Sequence, residues 1–208
     1  MKTNTNVETE IQTKDILLDK AKMVIFMLII GLVIAGILVG FNSYTKPLVE
    51  KNAKIRNMEK VLDAFNIKYK KDNIAEVYEN KITVVEKGDQ RFYKTNNGDI
   101  AFKYTGKGLW GDIIGFMAFK ADMKTIKGLS IMTQSETPGL GGRIGEEWFL
   151  KQFEGLNYKP KIKILKSSKT ADEPNEIDGI AGATLTGDAL QKILNNNIQE
   201  TLPNLEVN

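Results

Sequence analysis

Two hydroxyls near the C-terminus stand where an anion could be held. The segment Asp178-Gly-Ile-Ala-Gly-Ala-Thr184-Leu-Thr186-Gly runs directly into the last amphipathic stretch of the chain. Ala181, Gly182 and Ala183 leave the backbone uncovered, and Thr184 and Thr186 fall where a helix is expected to begin. A helix N-terminus carries unpaired N–H groups and about half a positive charge, so a phosphate is favoured there on both counts. The same residues also suit a glycine turn followed by a threonine cap at Thr186, and physics alone leaves both readings open. Upstream lies a second loop, Glu136-Thr137-Pro138-Gly139-Leu140-Gly141, whose Pro-Gly pair is a turn signal.

Composition removes most other chemistry. The 208 residues contain no His and no Cys. That excludes a Ser-His-Asp triad, a His general base, a thiolate nucleophile and Cys- or His-ligated metals and clusters. What remains is carboxylate chemistry, lysine chemistry or a cofactor that brings its own reactivity. Lys plus Arg number 29 against 26 Asp plus Glu, a net charge of +3 that gives no case for nucleic acid. Two glycine patterns mislead. Gly106-Lys-Gly108-Leu-Trp-Gly111 matches the dinucleotide fingerprint, but the run after it, Ile113 to Lys120, reads as a strand where that fingerprint needs a helix. Gly182 to Gly187 has P-loop spacing, but Asp188 stands where the phosphate-binding Lys belongs.

On these residues the chain resembles a known family. Asp178 to Thr184 is similar to the D-x-x-(S/T)-G-A-T flavinylation motif of the FMN-binding subunits of the Rnf and Na+-pumping Nqr membrane redox complexes. In that family the last Thr of the motif carries FMN through a phosphoester bond installed by a flavin transferase, and the matching position is Thr184; Ala181 stands where Ser or Thr is usual. Glu136 to Gly141 resembles the family's E-T-P-G-L-G loop beside the isoalloxazine, which implies that Glu136, Thr137 and the bare backbone of Pro138, Gly139, Leu140 and Gly141 meet the flavin's polar edge. Gln134 replaces a His often found there. Gly108-Leu109-Trp110-Gly111 is similar to the family's G-L-W segment, which implies that Leu109 and Trp110 line the flavin ring; plain core packing is the other use for that Trp. Lys166 matches a Lys often found after the strand 162–165 and could pair with the phosphate. Asp178, Gly182, Ala183, Leu185 and Thr186 complete the implied cofactor-binding set, with no catalytic residue and no metal ligand.

The resemblance implies an electron carrier: an FMN-bearing subunit that relays single electrons within an ion-translocating membrane oxidoreductase and is not catalytic alone. Its implied partners are the other membrane and peripheral subunits and the maturing transferase. The shortness of the chain favours an Rnf-type ferredoxin:NAD+ assembly over the NADH:quinone one. A membrane-anchored, non-redox binding module is the competing reading from another class.

The elements that must position these residues can be read in turn. Met23 to Phe41 holds 19 residues without a charge. At ~1.5 Å per residue it spans about 28 Å, close to the ~30 Å hydrocarbon core. A cleaved leader would have a shorter apolar core, so one permanent transmembrane helix is expected. Lys20 and Lys22 lie nearest the run and place the N-terminus in the cytoplasm, although Lys46, Lys51, Lys54, Arg56 and Lys60 on the far flank leave the charge count undecided. The flavin domain would then lie outside the cytoplasm at a bacterial or archaeal inner membrane. Gly31, Ala35, Gly36 and Gly40 offer a small-residue face.

The expected division is an N-terminal segment over 1–22, the transmembrane helix over 23–41, a stalk helix over 42–70 and an α+β FMN-binding domain over 71–208. In the N-terminal segment, residues 1–14 read as polar and mobile and 15–22 as an amphipathic lead-in. The stalk should start at Pro47 and carry Leu48, Ile55, Met58, Leu62 and Phe65 on one stripe. Val77, Tyr78, Ile82 to Val85, Phe92 and Tyr93 read as β, as do 113–120, 126–132 and 162–165. A short helix is expected over 146–153, a polar loop over 167–176, and a final helix from Gly187 to about Thr201 with Leu190, Ile193, Leu194 and Ile198 inward.

Overall fold

The structure is a computed structural model that describes residues 3–206, with side chains for 18–203 and 205. Two compact units divide it, residues 1–52 and 53–208, and each is taken by itself.

The first unit lies within a helical element, α1 (Thr3–Ala64). Its apolar stretch is long enough to cross a membrane, and its large side chains are exposed, Leu32 to 73% and Met27 to 70%. The N-terminal segment expected over 1–22, with 1–14 read as mobile and 15–22 as the lead-in, is helical from Thr3; Met1, Lys2 and the side chains through residue 17, including the acidic Glu8, Glu10 and Asp15, lie outside the described residues. Pro47 does not start a helix but sits inside α1. A proline there removes one N–H from the ladder. The Thr45 hydroxyl donates to the Phe41 carbonyl at 2.9 Å, the back-bonding that a polar side chain makes within a continuing helix.

In the second unit the last turns of α1 bury Met58, Val61 and Leu62 on one face, and Phe65, just past the helix end, continues it at the same spacing. The helix stops at Ala64, earlier than the expected 70, because Asn66 takes a left-handed φ of 56° and the Ile67 N–H returns to the Leu62 carbonyl at 3.0 Å. The Asn66 amide then donates to the Lys127 carbonyl at 2.8 Å and ties this end to the sheet. Leu48, read as part of the same stripe, belongs to the first unit and is 53% exposed.

The sheet is a five-stranded antiparallel meander, β1 (Ile82–Lys87), β2 (Gln90–Thr95), β3 (Ile100–Lys107), β4 (Asp112–Phe119) and β5 (Ile126–Thr133), in sequential order. Successive side chains alternate between its faces. Tyr93, Ala101, Phe116 and Ala118 pack with the end of α1 and with α2 (Ile74–Lys81). Phe92, Phe102, Tyr104, Met117 and Phe119 pack on the other side with α3 (Glu147–Lys151) and α4 (Thr184–Thr201). Covered on both faces, β4 reads as an unbroken apolar run rather than an alternating one. Val77 and Tyr78, expected in a strand, lie on α2, where Ile74 and Tyr78 at i and i+4 point inward. A short 3-10 turn (Gly141–Gly145) precedes α3, and two two-residue strands, β6 (Lys163–Ile164) and β7 (Glu176–Ile177), pair in parallel. The chain is described to α5 (Pro203–Glu206).

Helix α4 is placed by more than its apolar face of Leu190, Ile193, Leu194 and Ile198, all buried. Asn195 accepts from the Ile162 N–H and donates to the Ile162 carbonyl, both at 2.9 Å. Gln191 accepts from the Ile164 N–H at 2.8 Å. On the other flank β2 pairs with β3 only from Ile100 to Phe102, and beyond it Asn197 takes both the N–H and the carbonyl of Thr105, at 3.3 and 3.0 Å.

Candidate functional site

Three segments meet at the start of α4. The first is the hairpin turn between β3 and β4, Gly108-Leu109-Trp110-Gly111, closed by the Gly108 N–H on the Gly111 carbonyl at 2.8 Å. The dinucleotide pattern at Gly106 to Gly111 thus runs from strand into strand and forms no nucleotide-binding helix. The second is the loop after β5, where Thr137-Pro138-Gly139-Leu140 makes a tight turn with the Leu140 N–H on the Thr137 carbonyl at 3.2 Å. Gly139 at φ +74° supplies the conformation such a turn needs at its third position. The third is the run into α4.

One carboxylate joins all three. Glu136 is 4% exposed. Its Oε1 accepts from the Leu109 N–H at 2.8 Å and from the Trp110 N–H at 3.1 Å. Its Oε2 accepts from the Thr186 hydroxyl at 2.6 Å. The Glu136 N–H itself donates to the Gln134 side-chain oxygen at 2.6 Å. The sequence resemblance aims Glu136 at a ligand's polar edge; the structure gives both its oxygens to the protein. Thr137 is exposed, as are Pro138 and Gly139.

The start of α4 also differs from expectation. The helix begins at Thr184, three residues before the expected Gly187, with Ala183 in the capping position and no side-chain cap. Thr186 lies inside the first turn, 2% exposed, and its hydroxyl points at Glu136 instead of capping. Thr184 occupies the first helical position and is exposed. The first N–H groups of any helix lack intrahelical partners, so Thr184 stands among donors suited to an anion.

Exposed apolar side chains surround this turn. Leu109 is 48% exposed, Trp110 70%, Leu140 44% and Leu185 64%. The Trp110 exposure excludes core packing as its use. Gly182, at φ +76°, backs directly onto the Leu140 side chain. Large apolar groups held open on three joined segments mark a surface built for a ligand or a partner.

Asp178 and Lys166 stand apart. The Asp178 carboxylate accepts from the Ala171 N–H at 2.7 Å and closes the loop after β6. Its backbone is gripped by Gln152, which accepts from the Asp178 N–H at 2.8 Å and donates to its carbonyl at 3.4 Å. Asp178 therefore shapes the approach to Thr184. Gln152 has no part in the sequence reading, because a lone polar residue after a short helix carries no local signal. The Lys166 side chain is exposed, and no hydrogen bond or ion pair among the described residues links it to Thr184. Its backbone, with that of Leu165, lies under Gly179.

The donor set suits a flavin mononucleotide: an exposed hydroxyl at a helix N-terminus for the phosphate and an apolar rim, including an indole, for the ring. Residues 108–199 match the FMN-binding domain family, a span that opens at the Leu109–Trp110 turn and closes near the end of α4. The C subunit of the Na(+)-translocating NADH-quinone reductase of Vibrio parahaemolyticus is 37% identical over 108 residues, covering 48% of this chain and 41% of that protein. Its counterpart in the Pseudomonas aeruginosa reductase is 34% identical over 97 residues, covering 43% and 37%. The chain thus spans about two-fifths of the length of these curated relatives. Among solved structures, the C subunit of the same reductase from Parabacteroides distasonis aligns with a TM-score of 0.71 at 21% identity, covering 78% of this chain and 98% of that one. NqrC of Shewanella oneidensis aligns at 0.62 and 18% identity, covering 70% and 93%. At these identities the structural likeness is one of fold, and it agrees with the α+β reading.

Proposed function

We propose that this chain, a member of the FMN-binding domain family through residues 108–199, is the flavin-bearing subunit of a membrane redox complex of the Na+-translocating NADH-quinone reductase type, with FMN esterified through its phosphate to Thr184. The observation that carries this reading is the exposed Thr184 at the first position of α4, set among Leu109, Trp110, Leu140 and Leu185. The preference for an Rnf-type assembly, drawn from chain length alone, gives way to the NADH-quinone type, which is supported by the names of the matched relatives.

Each part of the chain has a task in this reading. Attachment replaces the Thr184 O–H by an O–P bond. In that step Thr184 would be the accepting hydroxyl, its proton passing to solvent, with a nucleoside monophosphate leaving from a flavin phosphoanhydride donor. The first-turn N–H groups of α4 balance the phosphodiester charge. Leu109, Trp110, Leu140 and Leu185 would supply the apolar rim against which the ring packs. FMN supplies one- and two-electron chemistry when bound, which explains how a chain without His or Cys serves a redox complex. The stretch 23–41 anchors the chain and carries no charge, so ion passage belongs to other subunits. Lys20 and Lys22 support a cytoplasmic N-terminus and an extracytoplasmic domain, although Lys22 is paired with Asp19 at 3.1 Å.

The test is co-expression of the full chain with a flavin transferase, read by in-gel flavin fluorescence and intact mass. Wild type should fluoresce and gain one FMN; Thr184→Ala should do neither. Fluorescence retained in Thr184→Ala would overturn the attachment site. A colourless, unmodified wild-type preparation would favour the non-redox binding module. Reduction of the flavin in the purified complex by NADH, with electrons reaching quinone, supports the reductase type; dependence on reduced ferredoxin supports the Rnf type.

A further inference from the structure

The geometry points to Glu136 as a positioning residue: it fixes the Leu109–Trp110 turn against the helix that bears Thr184, a role that rests on the flavin-bearing reading of that helix. A carboxylate has two oxygens and about four acceptor sites. Here three are filled, two by main-chain N–H groups of the turn and one by the Thr186 hydroxyl. The partners are 26, 27 and 50 residues away in sequence. Away from this contact the β3–β4 hairpin is tied to α4 by the Asn197 amide on Thr105, far from the turn, and otherwise by apolar packing, which does not fix the turn to a fraction of an ångström.

The surroundings are cut to this contact. At Gly108 a Cβ would come to 2.5 Å from Glu136 Oε1 and 2.9 Å from Ile113 Cδ1. At Gly141 a Cβ would meet the Thr186 hydroxyl and come to 3.1 Å from Glu136 Oε2. Both glycines let backbone close over the carboxylate. Gln134 holds the Glu136 backbone from the other side. Among the described residues no ion pair joins a Lys or Arg to Glu136, so its charge is met by oriented dipoles, the turn N–H groups and the first turn of α4. Charge-assisted bonds of this kind are about twice as strong as neutral ones. Leu109 and Trp110 are exposed side chains whose main-chain N–H groups are held by a buried carboxylate, which makes a wall with a fixed place relative to Thr184.

Two measurements on the full chain in detergent test this. In flavin-free protein, amide hydrogen exchange at Leu109 and Trp110 should be about tenfold faster or more in Glu136→Ala, with the β3 and β4 ladders unchanged. Glu136→Gln, which keeps an oxygen facing the turn, should retain most of the protection. In flavinylated protein, the fluorescence yield and anisotropy per covalently bound flavin report contact with the Trp110 ring. Glu136→Ala should be brighter and less anisotropic than wild type, and Glu136→Gln close to wild type. Unchanged exchange at the two amides, or equal flavin anisotropy in wild type and Glu136→Ala, would overturn the role. Should Glu136→Ala not fold, Thr186→Val cuts only the helix side of the link and should itself lower flavin anisotropy; an unchanged value there overturns the proposal. A wild-type chain without flavin would sink the functional reading, while the exchange data still decide the role of Glu136.

Discussion

Replacing Thr186 by Val removes one hydroxyl and almost no volume, and the cost can be worked from the structure. The hydroxyl donates to Glu136 Oε2 at 2.6 Å, with Thr186 2% and Glu136 4% exposed, so water cannot take its place. A bond to a charged acceptor contributes ~1.5–3 kcal/mol, and an orphaned buried acceptor keeps its desolvation penalty. The methyl that replaces the hydroxyl opens no cavity, and Thr and Val have similar helix propensities. The net loss is about 2 kcal/mol. For a unit the size of residues 53–208 that corresponds to ~4–8 °C in melting temperature. Thr186→Ser keeps the hydroxyl and loses a methyl, so it should cost about 1 kcal/mol. The assay is guanidinium and thermal unfolding of the full chain in detergent, followed by the fluorescence of Trp110 and Trp148. Thr186→Val within ~0.5 kcal/mol of wild type would refute the reasoning, because it would mean the Glu136 oxygen is solvated or satisfied elsewhere.

Gly115→Ala should destabilise by about 3 kcal/mol or more, since its Cβ would run into the Ser130 carbonyl and come to 2.7 Å from Cζ of Tyr104; a wild-type urea midpoint would contradict this. That ring is fully buried, with its hydroxyl donating to the Ser130 carbonyl at 3.0 Å, so it cannot swing aside. The Lys163–Glu176 pair, 2.9 Å across the β6–β7 contact, should make the Asp178 loop acid-sensitive. The hydrogen bond from Lys163 holds the Glu176 carboxyl below the usual carboxylate range. Its contribution is therefore complete above pH ~4.3 and is lost as pH falls through the lowered value. Lys163 is raised by the same bond, so its contribution is complete below pH ~10.4 and is lost as pH climbs through the raised value. Proteolysis of the 167–178 loop should accelerate at low pH in wild type, whereas Lys163→Met should show fast cleavage already at neutral pH.

How much of this is legible in the residues depends on what each position packs against. β4 is readable because Ile113 to Phe119 is an apolar run buried on both faces, and β5 because Ile126, Leu129, Ile131 and Met132 are apolar or β-favouring residues in a short stretch bounded by turn residues. The inward face of α4 is readable from the 3–4 spacing of Leu190, Ile193, Leu194 and Ile198. α2 reads wrongly as strand because Val77 and Tyr78 favour strands, while the i, i+4 burial of Ile74 and Tyr78 decides for helix. β3 escapes the pattern, its Ala101, Phe102 and Tyr104 split by Lys103 and followed by Gly106. Thr186 reads as a cap because a hydroxyl stands before an apolar stripe; its true acceptor lies 50 residues upstream, beyond any local pattern. The residues around the site are visible as glycine loops. The bonds that join them are not, because a carboxylate that bridges three segments looks in sequence like any other glutamate.

The amides of Asn195, Gln191 and Asn197 carry a consequence for self-association. Exposed strand edges invite neighbouring copies to add a strand, and proteins crowded in a membrane plane meet each other often. At positions 105, 162 and 164 the backbone is already met by side chains of α4. A side-chain amide ends a ladder, since it has no following residue in register to offer the next rung. The helix that bears Thr184 therefore blunts both flanks it touches against intermolecular pairing; of the sheet's two outer strands, β5 is met at Ile126 by the backbone of Gly155 and Leu156, while on β1 Val84 and Val85 are 43% and 44% exposed.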